Sequence, residues 1–139
     1  MRFMMLMIPE VYRKPIPSNF MPDMEAIKKM GKYNEELQKA GVLLGLDGLT
    51  PPSAGARVSF SGGKAKVTDG PFAEAKEAIG GYWMIQVNSR DEAIEWAKRC
   101  PAGTNDVIEI RRVHETEDFG PEFAGREREL TEKADKTKR

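Results

Sequence analysis

The stretch Ile79-Gly80-Gly81-Tyr82-Trp83-Met84-Ile85-Gln86-Val87-Asn88-Ser89-Arg90-Asp91-Glu92-Ala93-Ile94-Glu95-Trp96-Ala97 changes period halfway along. Up to Val87 it alternates. Trp83, Ile85 and Val87 point one way from an extended chain, and Tyr82, Met84 and Gln86 point the other. Ser89 and Glu92 then have the S-x-x-E spacing of a capping box, opening a helix through Ala93, Ile94, Trp96 and Ala97. Pro101 stops it just after Cys100. Val107–Val113 is a further strand, with Ile108 and Ile110 alternating against Glu109 and Arg111. Strand, helix, strand is therefore the reading of the C-terminal half.

Upstream, Arg57–Thr68 reads as a hairpin. Gly62-Gly63 supplies the positive φ of a two-residue turn. That register sets Phe60 opposite Ala65 and Val58 opposite Val67 on one face, with Ser59 opposite Lys66 and Arg57 opposite Thr68 on the other. Residues 2–8 form a short apolar run ended by Pro9, a strand apolar on both faces. Residues 9–22 contain four prolines and form a loop. Pro22 and Asp23 open a helix whose stripe is Ala26, Ile27, Met30, Tyr33, Leu37 and Ala40, with Gly41 as its C-terminal cap. Val42-Leu43-Leu44 is a short strand, and Gly45-x-x-Gly48 reads as a turn.

Without the inserted hairpin the order is βαββαβ, a ferredoxin-like α+β arrangement. Right-handed crossovers place both helices on one face of the sheet. The other face carries apolar groups with nothing to cover it, so a homodimer is expected. The domain is expected over residues 1–120. The charged segment 121–139, almost without apolar residues from Gly125 on, is expected to be a flexible tail.

Composition removes several function classes. The chain has 139 residues, enough for one domain with a core of its own. Lys+Arg and Asp+Glu both number 22, so direct nucleic-acid binding is not expected. The first apolar run is short and has no small-residue cleavage site after it, unlike a secretory leader. No segment approaches the roughly 20 apolar residues of a membrane span. Cys100 has no internal disulfide partner. A cytoplasmic protein with no membrane partner and no cofactor is the expectation.

Thr68-Asp69-Gly70-Pro71-Phe72, continued by Ala73-Glu74-Ala75-Lys76-Glu77, resembles the DGPF family of the YCII-related superfamily. The resemblance extends to Ala40-Gly41-Val42-Leu43, to Gly80-Gly81-Tyr82, and to Ala93-x-x-Trp96-Ala97 before Cys100-Pro101, over roughly residues 1–115. It implies a protomer that forms a dimeric α/β barrel, and it implies little about activity. Relatives in the wider superfamily include a dehydrochlorinase of aromatic-ring breakdown, and DGPF genes often stand beside genes for alternative sigma factors. The superfamily's proposed His–Asp pair needs a histidine on the first helix. Counting back from Gly41 puts that position at Met30, which cannot shuttle protons.

Two candidate catalytic residues remain. Asp69 has turn chemistry around it and can simply bond its own backbone, with Phe72 plugging the core. Alternatively its carboxylate faces a cleft between hairpin and sheet and takes a proton there. His114, the only histidine, lies among acids in His114-Glu115-Thr116-Glu117-Asp118; no spacing makes it a metal site, and a base role is open to it. Tyr82, Gln86, Glu109 and Arg111 are expected to share the open face and to bind a small molecule between that face and the hairpin. Ser61-Gly62-Gly63-Lys64 lacks the P-loop frame. The function expected is a small-molecule enzyme or binding protein. The alternative is a non-catalytic regulatory protein linked to sigma-factor control.

Overall fold

A computed structural model describes residues 1–72 and 77–137. The strands are β1 (Arg2–Ile8), β2 (Leu43–Gly48), β3 (Ala56–Ser61), β4 (Lys64–Asp69), β5 (Gly81–Gln86) and β6 (Val107–Arg112). The helices are α1 (Met24–Lys39), α2 (Arg90–Lys98) and α3 (Pro121–Thr137). Four strands form one antiparallel sheet in the order β2-β5-β1-β6, and β3-β4 stand apart as a two-stranded sheet. The fold is α+β, with the expected element order and the hairpin inserted between β2 and β5.

Local chemistry explains the boundaries. The Asp23 carboxylate accepts from the Ala26 N–H and caps α1, and Gly41 (φ 74°) ends it in the left-handed region. Ser89 Oγ accepts from Glu92 N–H at 3.1 Å, as the capping box requires. The reciprocal bond differs from the expectation: the Glu92 carboxylate accepts from Asn88 N–H, one residue before the cap. The hairpin register is the expected one at every pair, turning through Gly62 and Gly63 (φ 57° and 75°).

Helices α1 and α2 pack on one face of the four-stranded sheet. Phe3, Met5 and Met7 of β1 and Trp83, Ile85 and Val87 at β5 are buried there against Tyr33 and Leu37 of α1 and Ala93 of α2. The Tyr33 hydroxyl reaches across to donate to the Trp96 carbonyl at 2.7 Å. Tyr33 and Trp83 rings meet edge to face.

Two expectations need correction. β2 runs through Gly48, so Gly45-x-x-Gly48 is strand rather than turn. The register against β5 slips between Leu43 and Gly45, and this bulge returns Leu46 to the helix-covered face beside Leu43. Phe72 does not plug the core. It is half-buried, with the Arg57 guanidinium 4.0 Å over its ring. The apolar side of the hairpin is bare, with Phe60 79% exposed. The Ala73-Glu74-Ala75-Lys76 continuation of the motif lies outside the described residues.

Candidate functional site

A cavity of about 460 Å³ opens on the helix-covered side, under the first half of α1. Ala26, Ile27, Met30 and Asn34 of α1 form its roof, Leu46 and Trp83 belong to the strands below, and Tyr12 and Phe20 close it from the proline-rich loop. That loop is held in place at Tyr12, whose hydroxyl donates to the Leu49 carbonyl at 2.8 Å and whose ring meets Phe20 edge to face.

Gly80 and Gly81 explain the approach of strand and loop. A side chain at Gly80 would run into the Pro9 ring at 2.7 Å, and one at Gly81 would stand 2.9 Å from the Asp47 carbonyl oxygen. Without side chains, Gly80 N–H bonds the Met7 carbonyl and its own carbonyl accepts from Leu49 N–H. The resemblance motif Gly80-Gly81-Tyr82 thus has a packing cause.

Few polar groups line the cavity, and most are spent. Asp106 accepts from Glu10 N–H and Gly103 N–H, both at 2.8 Å, so it closes loops. Asp47 accepts from the Tyr82 hydroxyl at 2.7 Å, and this bond to a carboxylate raises the phenol above its ordinary range. Asn34 accepts the indole N–H of the buried Trp83 at 2.8 Å. Because indole nitrogen only donates, that contact fixes the amide orientation. Among the described residues, nothing accepts from Asn34 Nδ2, so two donors remain for a guest. Sequence reading passed over Asn34. The signal was a polar residue inside an apolar stripe, four after Met30 and three before Leu37.

Met30, at the position where the resemblance calls for histidine, lines this cavity. Its sulfur lies 3.9 Å from the Cys100 thiol, which burial pushes up to about 11. Cys100 is therefore a protonated, packed side chain and a poor nucleophile.

The sequence candidates fall in three places. Tyr82, Gln86, Glu109 and Arg111 do share the face opposite the helices: Leu6 stands between Glu109 and Tyr82, and Met4 between Arg111 and Met84. Arg111 and Glu109 approach to 3.5 Å there. Asp69 is exposed at the end of β4, in the separate hairpin sheet. His114 follows β6, where Nδ1 lies 3.3 Å from Asp118 and the ring packs at 4.9 Å on Phe119. Asp118 also pairs with Arg112 at 3.0 Å and accepts from Glu115 N–H, the largest of the influences holding it below the usual carboxylate range. This cluster joins β6 to the turn Thr116–Phe119. The described structure does not bring Asp69 or His114 to the open-face residues through any hydrogen bond. Among the described residues, no group of three His, Cys, Asp or Glu is placed to hold a metal ion. No described helix is long and apolar enough to cross a membrane.

The profile of the YCII-related domain matches residues 1–117. An uncharacterised protein of Rhizobium meliloti (strain 1021) is 35% identical over 91 residues, covering 66% of this chain and 68% of the relative. With the profile spanning most of its length, the chain belongs to the YCII-related domain family.

Proposed function

We propose that this protein binds a small, largely apolar molecule in the cavity under α1, as a homodimer of the DGPF kind. One observation carries the ligand reading. The cavity is walled mainly by carbon, and Trp83 orients the Asn34 amide, whose two donors meet no acceptor among the described residues. Ligand pockets combine an apolar lining with a few oriented polar groups in this way. If the ligand reacts, the Asp47–Tyr82 pair, two residues that both border the cavity, is a hydrogen-bonded acid–base couple at the edge of the sheet, with the phenol as donor.

The dimer rests on the open face. Met4, Leu6, Tyr82 and Met84 are only half-buried in the single chain, and a second copy covers them by pairing face to face. In that dimeric α/β barrel Tyr82, Gln86, Glu109 and Arg111 border the space between two sheets, where a polar ligand group is accommodated. Asp69 and His114 lie outside the cavity, and any proton transfer by them needs a ligand reaching the hairpin or the end of β6.

The test is a thermal-shift screen of small metabolites on three proteins. Wild type is stabilised by its ligand, by about 2.7 kcal/mol at a hundredfold excess over Kd. Met30→Trp fills the cavity and loses the response. Asn34→Asp keeps an acceptor for Trp83 but removes the donors, so it folds and responds weakly. Hits that stabilise Met30→Trp as strongly as wild type would place the ligand elsewhere and end this reading.

A further inference from the structure

We infer that a second pocket, between the proline-rich loop and the root of the hairpin, is a separate site for small aromatic carboxylates. It measures about 310 Å³ and is walled by Tyr12, Arg13, Lys14, Pro52, Pro71 and Phe72, among others. Its charge is opposite to that of the cavity under α1. Among the described residues, those lining the second pocket include two cations, Arg13 and Lys14, and no acid, whereas those lining the cavity include Asp47 and Asp106 and no cation. Tyr12 contributes to both walls and separates them.

Among the described residues, neither Lys14 nor Arg57 has an ion-pair partner, and Arg57 sits on the Phe72 ring at 4.0 Å. Arg13 donates to the Asn105 carbonyl at 3.0 Å, which steadies it without neutralising its charge. Asp69, two residues before Pro71, is not among the lining residues, and Glu74, two after Phe72, lies outside the described residues.

The walls are pinned before any ligand arrives. Ser53 Oγ donates to the Ile16 carbonyl at 2.8 Å, and Gly70 N–H donates to the Gly55 carbonyl at 2.9 Å. Gly70 lies so close to the Pro52 carbonyl that a side chain there has no room. The Asp69-Gly70-Pro71-Phe72 segment therefore presses onto Pro52 and delivers Pro71 and Phe72 to the pocket. Proline and aromatic rings offer a flat apolar slot, and rigid walls keep the ordering cost of binding low. A compact ammonium and a guanidinium at its rim select an anion. The ligand that meets both demands has a flat apolar body and one carboxylate.

The experiment titrates the full chain with benzoate, benzyl alcohol and benzylamine, following backbone amides by NMR. Benzoate is expected to move the amides of Arg13, Lys14 and Phe72 and to leave those of Met30 and Asn34 in place. It should bind roughly tenfold more tightly than benzyl alcohol, the equivalent of one charge-assisted contact. Benzylamine should not bind. Lys14→Met should weaken benzoate by roughly fivefold, as expected for one partly screened charge. Phe72→Leu should weaken benzoate and benzyl alcohol alike. Equal affinity for benzoate and benzyl alcohol overturns the inference, as does an unchanged affinity in Lys14→Met. Shifts confined to the α1 cavity, or none at millimolar benzoate, overturn it as well.

Discussion

Removing the Asn34 side-chain acceptor should destabilise the protein by an amount that depends on what replaces it. Trp83 is 5% exposed and its indole N–H has Asn34 as its partner at 2.8 Å. Asn34→Leu keeps bulk beside the indole, blocks water and leaves the donor buried and unpaired, which costs about 1–3 kcal/mol. Asn34→Ala opens a route from the cavity through which a water can reach Trp83. Its cost should fall to about 1 kcal/mol, near the net value of one hydrogen bond. At 139 residues each kcal/mol moves Tm by roughly 3–5 °C, so Asn34→Leu should melt roughly 3–15 °C below wild type. Differential scanning calorimetry gives the stability order, and Trp fluorescence reports whether water has reached the indole. A Leu variant as stable as wild type would show that the contact does not stabilise the fold. The oriented amide, and the ligand reading built on it, would then lose their support.

Light scattering at micromolar concentration should return twice the 15.6 kDa chain mass, and Met84→Glu on the open face should return one. Asp69→Asn should leave stability within about 0.5 kcal/mol, since asparagine serves turns nearly as well; loss of a ligand response in a stable variant would make the carboxylate functional. Truncation after Gly120 should also cost no more than about 0.5 kcal/mol, because the α3 residues whose burial is described are all exposed; a larger fall in Tm would show docking, for instance across a dimer. Asp118 is held below its ordinary range chiefly by the Glu115 N–H, so its contribution is present above about pH 4 and lost as pH falls through its folded value. NMR shifts of Phe119 should move over that acid range, and no movement below pH 4 would refute the assignment.

Where a feature is fixed by neighbours in sequence, the chain could be read directly. The β3–β4 register follows from two glycines and an alternating pattern, and every expected pair is present. Asp23 and Gly41 bound α1 by their own backbone needs. The bulge at Leu44 could not be read so. Leu43 and Leu46 are three apart, a spacing that neither a plain strand nor a turn assigns, and only pairing with β5 decides it. The exposure of Phe60 was equally hidden. A correct register states which residues share a face, but not whether anything covers that face.

The cavity was less legible still, for a reason that applies to its chemistry. Its walls use the same residue types as the core, and Trp83 and Met7 belong to both. An unfilled volume arises from how far loop 9–22 stands off α1, which no periodicity encodes. Polar residues on an alternating strand drew attention to the open face instead, where Tyr82, Gln86, Glu109 and Arg111 do lie together. That placement and the cavity are not rivals. Tyr82 belongs to the open face by its parity, yet it bonds Asp47 and also lines the cavity, so the β2–β5 edge is where the two surfaces meet. If a ligand sits under α1 and a second copy covers the sheet, as proposed, one phenol and one carboxylate connect the two sites. Tyr82→Phe cuts that link while keeping the ring in place, and it should change ligand affinity and dimer affinity together if the edge couples them.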